Sequence, residues 1–174
     1  MLIKSTDEYP ILYDVSLHVP LIVRTPNGAE NHIISDLVEL VDLCPTLLDI
    51  AGLEVAPELQ GHSQRQALQG DPAYKREYIF AESGAVKTIR SQTHKLVYYP
   101  GQPYGELYDL EQDPHEMQNL YQDPNHRDLC SRMTQDLLNK LIQLEGPRHG
   151  ESQRGPAYWK KLYDLPFKPE YNLP

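Results

Sequence analysis

One feature limits the fold of this chain more than any other. Three runs of period two are followed by one run of period near 3.6. Glu77–Glu82 (EYIFAE), Ala85–Ser91 (AVKTIRS) and His94–Tyr99 (HKLVYY) read as strands, and Glu106–Asp109 (ELYD) as a short fourth. Gln92-Thr93 joins the second strand to the third as a tight hairpin, and Gly101–Gly105 is a turn. Strands with such short links form an antiparallel meander, covered on one face. The cover follows in the sequence. Asp123-Pro124 opens a segment in which Leu129, Met133, Leu137, Leu138, Leu141, Ile142 and Leu144 recur at helical spacing, and Gly146 ends it. The fold class is therefore α+β, with a four-stranded antiparallel sheet packed on a C-terminal helix.

The front of the chain has a different grain. Leu37–Val41 suits a brief buried strand or an extended lead into a helix. Asp42 is expected to cap that helix, with Pro45 in its first turn, Leu47, Leu48, Ile50 and Ala51 as its apolar patch, and Gly52 as its stop. Val19–Arg24 (VPLIVR) is a continuous apolar run, the pattern of a strand buried on both faces of a parallel sheet, ended by a turn at Pro26–Gly28. Glu54–Gly70 is a surface loop with a helical turn at Arg65–Leu68. Asp71-Pro72 marks a boundary, so the expected division is 1–72, 73–146 and an extended tail, 147–174.

Formal net charge is −9, with the acidic residues dispersed, which argues against a nucleic-acid partner. No segment is apolar over a membrane-spanning length. Cys44 and Cys130 form no motif and are expected as free thiols in packed positions, Cys44 buried in the first helix and Cys130 on the last. Met1–Pro10 lacks the apolar core of a signal peptide. Cellular location stays open.

Several motifs, in order, resemble the sulfatase family, and its bacterial and N-sulfoglucosamine-type members in particular. They are LYDVSLHVPLIVRTP (Leu12–Pro26), VDLCPTLLDIAGL (Val41–Leu53), LQGHS (Leu59–Ser63) and ELYDLEQDPHEMQNL (Glu106–Leu120), and the resemblance runs over Leu2–Glu145. It implies that Leu2–Pro72 is the end of an alkaline-phosphatase-like α/β domain, and that the chain is the carboxy-terminal portion of an enzyme hydrolysing sulfate esters or sulfamates. In such enzymes a formylglycine attacks sulfur and a divalent cation, usually calcium, polarises the sulfate. No Cys/Ser-x-Pro-Ser/Thr-Arg sequence occurs here, so formylglycine and calcium are expected in an N-terminal sulfatase half, with no metal held by this chain.

The same resemblance places candidate residues. Met1-Leu2-Ile3-Lys4 matches the stretch after a metal-ligand pair, which implies a catalytic role for Lys4, an ammonium on a sulfate oxygen; otherwise it is a solvated lysine. His18 lines a substrate pocket or supports its wall. Tyr13-Asp14 is a fold contact near the active site. His62 anchors a loop, and His94 lies on the hairpin surface. Arg90 and Lys95 match the family's Arg-x-x-x-x-Lys. They either attract a sulfated sugar or lay down aliphatic stems with their charges in solvent or on Asp109 or Glu111. Asp109–Asn119 supplies turn and cap hydrogen bonds. Three functions follow. The first is a sulfatase portion, inactive alone, that closes one side of the cleft around a sulfate ester or sulfated glycan. The second is a stand-alone module binding a sulfated glycan or a partner subunit. The third is a hydrolase of phosphate or phosphonate esters.

Overall fold

The computed structural model describes residues 12–26, 28–71 and 76–145. The chain divides into two compact units, Met1–Leu138 and Asn139–Pro174. In the first unit, β1 (Ile79–Ser83), β2 (Val86–Arg90), β3 (His94–Tyr98) and β4 (Gly105–Asp109) form one sheet in the order β1-β2-β3-β4. Every neighbouring pair is antiparallel. The first hairpin turns on Gly84, whose φ of 56° is open to a residue without Cβ. The second is closed by a side chain. Ser91 N–H donates to the His94 carbonyl at 2.8 Å, while the Ser91 hydroxyl accepts the N–H groups of Thr93 and His94 at 3.2 and 2.9 Å. This hydroxyl lets Gln92-Thr93 turn tightly without glycine.

The register sorts the strands into two faces. Ile89, Leu96 and Leu107 share one of them, and all three are fully buried. The long helix follows as the leucine spacing requires, although it includes Leu138 and Ile142, which are exposed, so the apolar stripe is narrower than the spacing suggested. Its bounds are Arg127–Glu145, after a 3-10 turn at Pro124–His126. The Asp123 carboxylate accepts the Asn125 N–H at 2.9 Å and starts that turn. Met133 and Leu137 are the buried residues of the helix, and Leu129 and Met133 share a cleft with His94 of β3.

The second face is not left to solvent, which corrects the expectation of a half-covered sheet. Leu12 packs with Val86 and Val97, and Leu17 and Tyr99 close around them. Leu17 belongs to α1 (Asp14–Leu17), a single turn. The segment that leads into the chain's apolar front therefore lies on the sheet.

The front half departs most from expectation. α2 spans Leu43–Ile50 and ends on a Schellman motif, with Gly52 at φ 70° donating to the Asp49 carbonyl at 3.0 Å and Leu53 donating to Leu48 at 2.9 Å. Asp42 does not cap it with its side chain. It ends a 3-10 turn, Leu40–Asp42, and its carboxylate is used elsewhere. Leu37–Val41 forms no strand, and only Leu37 of its apolar residues is buried. Leu47 and Cys44 are exposed, contrary to the buried patch and buried thiol expected. Val19–Arg24 forms no strand either: Ile22 is 96% exposed and Leu21 49%. A strand buried on both faces needs flanking strands to pair its backbone. The described residues supply none, so the run has no strand partner among them. α3 (Arg65–Leu68) is the expected helical turn, and the Gly28 N–H reaches the Thr25 carbonyl at 3.3 Å in the expected turn.

Candidate functional site

The densest group of charges lies where Leu12–Leu17 meets the second face of the sheet. Lys95 alternates with Val97 on β3, so its side chain projects toward that face. It is wholly buried. Its ammonium donates to the Leu12 carbonyl at 2.8 Å and to the Asp14 carboxylate at 3.3 Å, and it forms a close ion pair with Glu116. Arg90, opposite Lys95 on β2, donates from Nε to Asp14 at 3.1 Å. The Asp14 N–H donates to Glu116 at 2.9 Å, so the two acids are themselves linked. The rings of Tyr13 and Tyr108 stand 5.7 and 5.9 Å from the ammonium. Burial pulls the Lys95 ammonium down to about 8, against the opposing attraction of Asp14.

A third carboxylate stands beside this group. Glu106 on β4 accepts hydroxyl hydrogens from Tyr99 at 2.8 Å, Tyr104 at 3.0 Å and Tyr108 at 3.1 Å. Burial, and then the Glu106 charge, push all three phenols above their ordinary value. Glu116 reaches Lys95 from a turn whose own geometry is strained at that residue, with φ at 56°. The turn is built as its acidic and amide residues suggest. Asp109 accepts the N–H groups of Glu111 and Gln112, Asp113 accepts that of Gln118, and Asn119 bridges Leu107 N–H and the Gly105 carbonyl of β4. Arg90 and Lys95 are thus ion-paired, as one reading had it, but to Asp14 and Glu116. Asp109 is occupied by its own turn.

Another cluster ties the front half to β1. Asp42 is fully buried and accepts from Glu39 N–H at 2.8 Å, His62 N–H at 2.8 Å, Arg76 at 2.7 Å and the Gln64 amide at 3.4 Å. Arg76 also pairs closely with Glu39, and Glu39 accepts the Phe80 N–H at 2.7 Å. His62 therefore anchors its loop, through its backbone. Gly61 beside it is required by proximity: a Cβ there would overlap the Val41 carbonyl oxygen and come within 2.9 Å of the Asp42 Cα.

Of the residues singled out from the sequence, Lys4 lies outside the described residues. His18 is exposed at the end of α1, where its N–H bonds the Asp14 carbonyl at 2.8 Å. The structure does not bring it into the Lys95 cluster. Tyr13-Asp14 is a fold contact, between the leading segment and the sheet. His94 is half-buried, with Nδ1 2.8 Å from the Thr93 hydroxyl, at a cleft also lined by Tyr78, Arg132 and Asp136. Glu116 and Glu106 were missed as members of a site. The signal for Glu106 was its alternation with Tyr108 and its place opposite Val97; for Glu116 there was none beyond its place in the acidic turn. Among the described residues no group of three His, Cys, Asp or Glu side chains is disposed to hold a metal, and no helix is long and apolar enough to cross a membrane. The arrangement can order a backbone segment and hold opposite charges out of water.

The fold is a four-stranded antiparallel sheet with a following helix, preceded by apolar segments that have no strand partner among the described residues. The family described as N-sulphoglucosamine sulphohydrolase, C-terminal, matches residues 8–143, and the chain belongs to it. The chain is 32% identical over 124 residues to an N-acetylglucosamine-6-O-sulfatase of Bacteroides thetaiotaomicron, a match covering 63% of this chain and 22% of that protein. It is 31% identical over 126 residues to mouse (Mus musculus) arylsulfatase K, with coverage of 63% and 22%. Among solved structures it resembles a 2-O GAG sulfatase with a TM-score of 0.54 at 27% identity, covering 62% of this chain and 25% of that one. It also resembles a phosphonate monoester hydrolase from Silicibacter pomeroyi, with a TM-score of 0.61 at 25% identity and coverage of 69% and 28%. The chain thus spans about a fifth to a quarter of the length of these relatives.

Proposed function

We propose that this chain completes a sulfatase: it supplies the last part of the α/β domain and the sheet-and-helix subdomain of an enzyme that hydrolyses a sulfate ester on a glycan. The observation that carries this reading is the family match across residues 8–143. The exposed apolar front supports it. Val15, Leu21, Ile22, Ile33, Leu40 and Leu47 are exposed, apolar surface of the kind that an interaction would cover. Its natural cover is an N-terminal sulfatase half, which would also bring the formylglycine and calcium. Lys4 would then contact the sulfate, and His18 would face the sugar.

The chemistry of sulfate transfer explains why this chain alone is incomplete. The leaving oxygen and the three sulfate oxygens need fixed positive charge and an activated nucleophile. Here the best-placed cations, Lys95 and Arg90, are already neutralised by Asp14 and Glu116. Purified residues 1–174 should therefore show no turnover of an aryl sulfate, and turnover should appear when they are joined to an upstream sulfatase half. Turnover by 1–174 alone would refute the division of labour.

The similarity to the Silicibacter phosphonate monoester hydrolase favours a second reading, in which the completed enzyme cleaves a phosphonate ester. Assaying the joined protein on matched aryl sulfate and aryl phosphonate separates the two, and the family match favours the sulfate. A stand-alone glycan-binding role is separated by calorimetry of 1–174 with a sulfated glucosamine, for which we expect no heat of binding.

A further inference from the structure

Lys95 is 0% exposed, yet it spends its charge on a segment more than 80 residues away in sequence. Among the described residues, the strong bonds it makes beyond its own strand fall on Leu12, Asp14 and Glu116, and Glu116 in turn holds the Asp14 N–H at 2.9 Å. Arg90 closes the ring on Asp14. Glu116 keeps a left-handed backbone, φ 56°, to reach this position. Such a conformation persists where the surroundings over-determine it. The segment so held lies between Lys4 and His18.

From this geometry we propose that Lys95 and Glu116 are positioning residues, which clamp Leu12–Leu17 to the sheet and so set, from the C-terminal subdomain, where that segment and the His18 that follows it lie. The inference rests on the sulfatase reading for its bearing on His18, but the clamp itself belongs to this chain. The charged and titratable groups facing the Lys95 ammonium are Asp14, Arg90, Glu106, Glu116, Tyr13 and Tyr108. Burial lowers the Lys95 ammonium to about 8, against the attraction of Asp14. Relative to a chain in which Lys95 is exposed at its ordinary value, the state that buries it gains stability as the pH rises above about 8.

The test is amide hydrogen exchange in residues 1–174, corrected for intrinsic rates, at Ser16, Leu17 and His18, whose N–H groups bond to Tyr13 and Asp14 carbonyls. In the unsubstituted chain their protection should climb from pH 8 upward. Glu116→Gln removes the close ion pair with the ammonium, so protection at neutral pH should fall about tenfold. Lys95→Met should leave protection independent of pH. The amides of Leu96 and Val97 serve as the control for the sheet. Unchanged protection and an unchanged pH profile in both variants would overturn the clamp, and so would equal loosening of Leu96 and Val97. Sulfate turnover plays no part in this readout, so a failed clamp and a failed sulfatase reading give different results.

Discussion

Asp42→Ala should lower the stability of residues 1–174 by about 3–5 kcal/mol, the cost of removing one partner from a buried, hydrogen-bonded ion pair. The carboxylate is fully out of solvent and takes hydrogen bonds from Glu39, His62, Arg76 and Gln64. Without it, the N–H groups of Glu39 and His62 lose the Asp42 acceptor, and Arg76 loses its ion pair with Asp42 while keeping the one with Glu39. Each orphaned buried donor costs on the order of 1–3 kcal/mol. The effect should appear in urea unfolding as a lower midpoint at constant slope. A midpoint within experimental error of the parent would show that the Asp42 cluster is ornamental, and that the front half is held to β1 by something else.

The second large effect is one of pH. Lys95 loses its proton near 8 in the folded chain, against an ordinary 10.5. Below about 8 both folded and unfolded chains carry the proton, and the penalty of burying it is fully present. Between about 8 and 10.5 the unfolded chain holds a proton that the folded chain has shed, so stability rises with pH. At 1.36 kcal/mol per unit the rise is about 3 kcal/mol if complete. The tyrosines act in the opposite sense. Tyr99 and Tyr108 are held above their ordinary 10.0, so above that value the unfolded chain sheds protons that the folded chain keeps, and stability falls. Stability should therefore peak in mildly alkaline solution, close to pH 10. Urea midpoints at pH 7, 8, 9 and 10 test this. Lys95→Met should abolish the rise and leave the fall; a flat profile between 8 and 10 in the unsubstituted chain, or the same rise in the variant, would contradict it.

These predictions concern residues that the sequence revealed unequally. The sheet, its strand order and the long helix were legible because local periodicity alone determines them: an antiparallel meander and its covering helix are neighbours in the chain. The Asp109–Asn119 turn was legible because Asp and Asn side chains bond their own backbone. What failed was everything that depends on distant partners. Val19–Arg24 has the composition of a buried strand but no strand beside it among the described residues. Cys44 and Leu47 have the pattern of a buried helix face, yet they are exposed. Asp42 stands where a cap belongs, but three residues brought in by the loop and by Arg76 claim its oxygens first. Lys95 was expected to attract a sulfated sugar or to pack its stem with the charge in solvent or on Asp109 or Glu111, because a lysine usually keeps its charge near water. Its alternation with Val97, on a strand whose opposite face is also buried, was the available warning. Lys4 and His18 rest on the family resemblance, since neither position is distinguished by periodicity or by charge pattern.

In the proposed sulfatase, the front of this chain is an unfinished edge of a larger α/β sheet. Amide hydrogen exchange at Leu21, Ile22 and Val23 tests it most directly, measured in residues 1–174 and again after joining to an upstream sulfatase half. We expect near-unprotected exchange in the first case and, in the second, protection greater by roughly a hundredfold or more, as the run takes its place in a hydrogen-bonded ladder. Equal, unprotected exchange in both would contradict the account, because VPLIVR would then be a surface loop and the chain would have no strand to contribute.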